Sequence, residues 1–377
     1  MSKNIGFRIS IHIAFLMSMI SSCVEKFDVD LGESEPRLVV NGIISDQPGE
    51  TYVSLLNTQP YVTGDYYVPP IPVEGATVRV LDTGGDVEFE LFDVSGRGKY
   101  VGITDEIKGN SGVGYVLEVI LKNGETYRSD LVTIPEKVPT LDNVDAELKE
   151  YKEYNERISD FSIVYKVDLL VDFSSKERVY LQWDVEGTTE IYSLENPDAP
   201  YPESTPICYI RRDPSGEKQF LAKSSAASEK SVRIPAIKNI RYSSDFRWGY
   251  GFKVKQYSIE AGAYEYLRKT KLLMESSGSL FDPFPSSITG NIYSIVGEEK
   301  RRTLGYFIAR KGGAVNYLVT NANKLGKRIT TSCEDLIIAR EIQKTEGGGG
   351  PPIEIPPSCF DCLRFDGATT KRPDYWY

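Results

Sequence analysis

The chain has 377 residues, 40% apolar and 11% aromatic, with 24 tyrosines. That is enough apolar area for a packed core, which excludes wholesale disorder, and the length suits about two domains. A formal net charge of −10 leaves no basic surplus to neutralise phosphates, which excludes a nucleic-acid partner.

Lys3 and Arg8 make a short positive region ahead of an apolar run over residues 9–20, broken only by Ser10, His12 and Ser18. The run is shorter than the roughly 20 helical residues that span a bilayer core, and it has the length and flanks of a signal-peptide core. Ile20-Ser21-Ser22-Cys23 follows. Small residues directly before a cysteine resemble the bacterial lipobox, in which the thiol is acylated and the cysteine becomes the new N-terminus. Residues 1–22 are therefore expected to be a lipoprotein signal peptide and Cys23 the lipidated residue. An ordinary secretory signal or an anchoring helix is the alternative. Two or more acyl chains suffice to hold a protein on a bilayer. Residues 23–35 then form an acidic tether, with Glu25, Asp28, Asp30, Glu33 and Glu35, that reaches about 40 Å at 3.3–3.6 Å per residue. An acidic stretch after the cysteine resembles the surface-export signals of Bacteroidota lipoproteins; a plain solvated linker fits equally well. No later segment is an uninterrupted apolar span, so the rest reads as a soluble body on a lipid anchor.

The fold class expected is mainly β. Residues 36–139 read as an N-terminal β-sandwich of immunoglobulin-like or transthyretin-like type, with turn signals at short, regular intervals. Residues 37–44 and 51–56 make two strands. Ala76-Thr77-Val78-Arg79-Val80 and Val87-Glu88-Phe89-Glu90-Leu91 alternate as half-buried strands do, joined by a turn-rich Asp82-Thr83-Gly84-Gly85-Asp86 loop. Asn123-Gly124 joins strands over 115–121 and 125–134 in a second hairpin. Pro135 and Pro139 mark a boundary.

Residues 140–345 read as a second β-rich domain with one main α-helix. Phe161, Ile163, Tyr165, Val167, Leu169, Val171 and Phe173 form an unbroken period-2 series, repeated by Val179, Leu181, Trp183 and Val185 after a Ser174-Ser175-Lys176 turn. The two runs are expected to pair as a long hairpin. Segment 142–156 fits strand or helix. Residues 251–258 make a strand. A helix over 259–276 is expected, capped by Ser258, with Glu260 at its positive end and Lys269 and Lys271 toward the other. Strands return at 291–296, 303–309 and 314–320. Residues 346–377 form a Gly/Pro linker and a cysteine-containing tail whose aromatic end, Tyr375-Trp376-Tyr377, is expected to dock on the body.

Chemistry is bounded mainly by exclusion. His12 is the only histidine, so the chain past residue 22 has none. Ser-His-Asp and Cys-His nucleophilic systems lack their base, and His-bearing zinc or iron sites lack their ligand. Carboxylate-pair hydrolysis stays open as a remoter alternative, although 54 acidic residues nominate no pair; Asp168 and Asp172 share a face that reads as polar and solvated. No cofactor or metal is expected, and the chain reads as no enzyme. Past Cys23, Cys208, Cys333, Cys359 and Cys362 make an even set, read as two disulfides in an oxidising compartment with three connectivities open. Cys359-x-x-Cys362 lacks the βαβ setting of a redox motif. Tyr66, Tyr67, Trp248 and Tyr250 lie in aromatic-rich loops, as do Phe281 and Phe284, and are candidates for contact with a sugar or a protein. The alternative, which composition favours, is that these rings cover the sandwich ends.

Several stretches together resemble the Bacteroidota lipoproteins grouped as domain of unknown function 4249. They are Cys23-Val-Glu-Lys-Phe-Asp, Leu38-Val-Val-Asn-Gly-Ile-Ile44, Pro72-Val-Glu-Gly-Ala-Thr-Val78, Ser277-Gly-Ser-Leu-Phe-Asp-Pro283, Gly290-Asn291, Gly305-Tyr-Phe307, Cys359-Phe-Asp-Cys362 and Arg372-Pro-Asp-Tyr-Trp376. The resemblance implies an outer-membrane lipoprotein, on the cell surface or the periplasmic face, acting as a partner of a TonB-dependent transporter. It carries over no catalytic residue. The expectation is a non-catalytic binding or accessory component; a surface glycan- or peptide-binding protein using the aromatic loops is the alternative.

Overall fold

The computed structural model describes residues 36–59, 69–155, 157, 159–196, 206–212, 220–224, 232–274, 288–295, 302–319, 329–346 and 350–376. Cys23 with the signal and tether, Tyr66, Tyr67 and the loop 281–285 lie outside them. In chain order the strands before the first long hairpin are β1 (Leu38–Ser45), β2 (Tyr52–Asn57), β3 (Ile71–Pro72), β4 (Thr77–Leu81), β5 (Val87–Leu91), β6 (Lys99–Val101), β7 (Gly114–Ile120), β8 (Thr126–Ser129) and β9 (Val132–Thr133). There follow β10 (Leu141–Asn155), β11 (Asp160–Phe173), β12 (Tyr180–Tyr192), β13 (Ile207–Arg212), β14 (Phe220–Lys223), β15 (Val232–Arg241) and β16 (Gly249–Ile259). The chain closes with α1 (Ala261–Met274), β17 (Ile292–Ser294), β18 (Leu304–Val319), α2 (Ser332–Glu346) and β19 (Ala368–Thr369). The protein is mainly β, as the alternation requires.

Turn chemistry closes the early hairpins where the sequence places them. β4 pairs with β5 and β7 with β8. Gly124 sits at φ +86°, the left-handed conformation that an Asn-Gly turn needs and only glycine adopts freely. In the first of these turns the Asp82 side chain accepts the Asp86 N–H, closing the loop on itself.

The described residues form three sheets. A ten-stranded sheet runs β19-β13-β12-β16-β18-β1-β2-β3, with β14 beside β12 and β6 beside β2. A six-stranded sheet holds β17-β8-β7-β4-β5 and β9, and a three-stranded sheet holds β10-β11-β15. The large sheet draws strands from both sides of Pro139. Its seam is the parallel pairing of β1 with β18, from Val39 opposite Leu304 to Ser45 opposite Arg310.

β18 shows how the layers stack, because successive side chains leave a strand on opposite faces. Phe307 and Ala309 enter a core with Val40, Val53, Leu55, Val78, Val80 and Leu117, under the six-stranded sheet. Farther along the same face, Val319 enters a second core with Trp183, Phe252, Val254, Val167, Leu169 and Phe173, under the three-stranded sheet. The opposite face of β18 carries Ile308 beneath α1, then Arg310, then Leu318 beneath the C-terminal tail.

Three expectations need correction, and one open choice is resolved. The period-2 runs at 161–173 and 179–185 are both strands, but they do not pair. β11 pairs with β10 and β15, whereas β12 pairs with β13, β14 and β16. The short 174–179 connection carries the chain from one sheet to the facing one, so Phe173 meets Trp183 across the core at a centroid distance of 6.1 Å. Alternation specifies a buried face and leaves the ladder partner open, so a sandwich crossing reads the same as a hairpin. Segment 142–156, which fits strand or helix in sequence, is strand over its described residues, through Asn155. Residues 303–309 and 314–320 are one element through Val319, β18 running on through Lys311-Gly312-Gly313 opposite β16. Ser258 does not cap α1; it is a buried residue of β16. Glu260 stands at the helix start instead, its carbonyl accepting the Tyr264 N–H and its carboxylate accepting the Thr133 N–H at 3.1 Å.

Candidate functional site

Five residues singled out from the sequence, Trp248 and the four cysteines, converge at one end of the ten-stranded sheet. The chemistry there starts with α2, a helix the sequence reading missed. Its signal was present: Thr331-x-x-Glu334 is a capping box. The Thr331 hydroxyl oxygen accepts the Glu334 N–H at 3.1 Å, and the Glu334 carboxylate accepts the Thr331 N–H at 2.8 Å. Arg247 donates to both Glu334 oxygens, its Nη2 at 2.7 Å. Burial pushes the Glu334 carboxyl up, but the Arg247 and Thr331 hydrogen bonds outweigh it and hold the group below its ordinary value.

Cys333, in the first turn of α2, bonds to Cys359, and Cys362 bonds to Cys208 on β13. Of the three connectivities the sequence allowed, the fold makes this one. The intervening turn is fixed to the end of β12 as well: the Leu194 N–H donates to the Cys359 carbonyl at 2.8 Å and the Cys362 N–H to Ser193 Oγ at 2.9 Å.

The tail then returns along the sheet. β19 pairs with β13, Tyr375 Oη donates to Thr188 Oγ1 at 2.7 Å, and the buried Trp376 ring meets Tyr209 edge-on at 5.3 Å. Room for that indole comes from Gly251, where a Cβ would lie 2.7 Å from Trp376 Cζ3. The aromatic end thus docks on the body as its composition implied.

Trp248 is half-buried at the rim of this corner. Its ring lies 5.0 Å from Tyr192, tilted by 47°, and the Arg247 guanidinium stands 4.2 Å above it. Tyr192 is opposite Ile207 across the β12–β13 ladder, and both keep exposed surface. The result is a small apolar platform edged by a cation, suited to an apolar ring or sugar face. Tyr250 does not belong to it, contrary to expectation. It is 2% exposed and stacks on Phe246 at 4.4 Å inside the second core. Two residues along, the chain has entered β16, whose pleat turns Tyr250 inward.

The carboxylates considered for acid–base work are otherwise engaged. Asp168 is 3% exposed, not solvated, and is paired with Lys149 from the neighbouring strand. Asp172, four residues on, lies beside Arg233 and Asn143. A denser charged cluster sits mid-sheet on the face between α1 and the tail. Buried Arg310 binds Glu50 at 3.1 Å and Asp184 at 3.2 Å, with its guanidinium 3.8 Å from the Tyr257 ring centroid. Tyr257 Oη donates to Glu50 at 2.9 Å, and Lys255 joins Glu50 to Glu186. Burial pushes the Asp184 carboxyl up against the pull of Arg310. Removing one member of such a network leaves a buried charge uncompensated, at about 3–5 kcal/mol, so it clamps the β1–β2 turn to β12, β16 and β18. Among the described residues no three Cys, His, Asp or Glu side chains gather as a metal-holding group, and no helix is long and apolar enough to cross a membrane.

No curated protein matches the chain. The profile of the family described as "Domain of unknown function (DUF4249)" matches residues 24–311, which begin ahead of β1 and end in the middle of β18, and the chain belongs to that family.

Proposed function

We propose that this protein is a non-catalytic lipoprotein of the outer membrane, anchored through Cys23, that serves as a binding or accessory component beside a TonB-dependent transporter. The observation that carries the reading is the register of the N-terminus: an apolar core of signal-peptide length, then Ser21-Ser22, then Cys23. Two disulfides support it, since such bonds persist in oxidising compartments. The histidine-free body removes the commonest general base. Labelling cells with a fatty-acid probe tests the anchor: the wild type takes up label and Cys23→Ala stays dark. Gentle detergent extraction tests the partnership; recovery of the protein without a transporter barrel rejects that half of the proposal.

A second reading is favoured by one arrangement, the Trp248–Tyr192 platform with Arg247 above it. Here the protein captures a glycan or peptide directly. Trp248→Ala and Tyr192→Ala should then weaken retention on an immobilised oligosaccharide panel while leaving the melting temperature unchanged. A matched fall in melting temperature would assign the rings to packing alone.

A further inference from the structure

Residues 147–155 read Glu-Leu-Lys-Glu-Tyr-Lys-Glu-Tyr-Asn, and their charges invert about Tyr151. They form the outer half of β10, whose only ladder among the described residues is with β11. β11 in turn meets β15 only from Lys166 inward. The outer part of the hairpin is therefore a two-stranded ribbon, an arrangement that is marginal in water by itself. One of its faces continues the row that fills the second core lower down. Val171, Leu169 and Val167 are buried, and the same row runs on to Ile163 and Phe161, 53% and 65% exposed. Tyr154, 57% exposed, stands opposite Phe161 with the rings 5.6 Å apart.

An open strand edge beside an uncovered apolar row fits one more strand. The charge order says which. Antiparallel pairing of β10 with its own copy, centred on Tyr151, sets Glu150 opposite the partner's Lys152 and Lys149 opposite the partner's Glu153. The two-fold axis repeats both contacts. The same register sets Leu148 beside the partner's Tyr154 on the apolar face, so the two apolar rows meet edge to edge near the axis. Opposite charges directly across a ladder stabilise it and like charges oppose it. Lys149 and Glu153 also pair with Asp168 and Lys166 of β11, so the exposed Glu150 and Lys152 carry the inversion, which charges that merely blunt a free edge do not need. The exposed apolar row alone is too small for the roughly 800 Å² per partner of a standard interface, so the ladder has to supply the register.

We propose that β10 pairs with β10 of a second copy, antiparallel about Tyr151, joining two three-stranded sheets into one of six strands. The test is sedimentation of the full chain in detergent, with Lys152→Glu and Glu150→Lys made separately at these two exposed positions. The wild type is expected to be dimeric. Each variant alone opposes like charges at two places and should weaken self-association about tenfold or more. An equimolar mixture of the two variants should regain the dimer, because their charges then complement each other. Mild oxidation of Tyr151→Cys should give a linked dimer, and Lys149→Cys, off the axis, should not. A wild type that stays monomeric across the micromolar range overturns the proposal. So does a variant that dimerises as tightly as the wild type, or a mixture no tighter than its components.

Discussion

The C-terminal tail and the β10–β11 ribbon are both peripheral to the second core, and they are held in opposite ways. The tail has little secondary structure, yet two disulfides, a strand pair and a seated indole fix it. The ribbon is regular secondary structure over its whole length, yet its outer half leaves Tyr154, Phe161 and Ile163 to solvent. Regularity and fixation are thus separate properties. Main-chain ladders satisfy backbone groups, whereas cross-links and buried side chains from elsewhere in the chain determine whether a segment stays put.

Five variants test this contrast. Replacing Cys208 and Cys362 together by serine opens a bridge between residues 154 apart in sequence and should cost about 4 kcal/mol, read from denaturant unfolding under oxidising conditions. Proteolysis should then cut within the tail first. Trp376→Ala removes a buried ring from the smaller cluster with Tyr209 and Leu318 and should cost about 2–3 kcal/mol. Gly251→Ala should act in the same direction, since the added methyl group meets the indole.

Glu334→Gln should cost about 1 kcal/mol at pH 7, through the capping box and the Arg247 pair. Its pH dependence has a defined sign. The native carboxyl lies below its ordinary value, so its stabilisation is complete above the unfolded-state pKa of about 4.3 and is lost as pH falls through the lower native value. Unfolding curves of wild type and variant should therefore differ at pH 7 and converge in acid below about pH 4. A gap that persists unchanged in acid would remove the ion pair from the account. Phe161→Ser should change stability by no more than about 0.5 kcal/mol despite the size of the ring, because most of that ring already faces water. A large loss there would place the outer ribbon in the folded core and remove the contrast.

Much of the β architecture was legible where the information is local. Asn123-Gly124 and the 82–86 turn each dictate a hairpin through the φ values that their residues tolerate, and the alternation in β11 and β12 marks their buried faces. The helix α1 shows in its sequence span, although its start was misread because Ser258 looks like a cap until the ladder of β16 is seen to include it. The helix α2 was legible and went unread, since Thr331-x-x-Glu334 carries the reciprocal cap in plain form. The candidate site was less legible. Trp248 and Tyr250 look alike in sequence, and only the entry of the chain into β16 separates a rim residue from a core one.

By itself the sequence determined the strand-forming segments, their inward faces, the early turns, and a stretch past residue 23 that holds four cysteines and no histidine. These follow from short-range sterics, period-2 patterning and composition, none of which needs a partner. Tertiary structure alone decided that β11 takes β10 and not β12, that β1 lies parallel to β18, that Cys208 finds Cys362, and that Asp168 is buried beside Lys149. Each joins groups brought together by packing, and a pleated strand states which side is apolar without stating what will cover it.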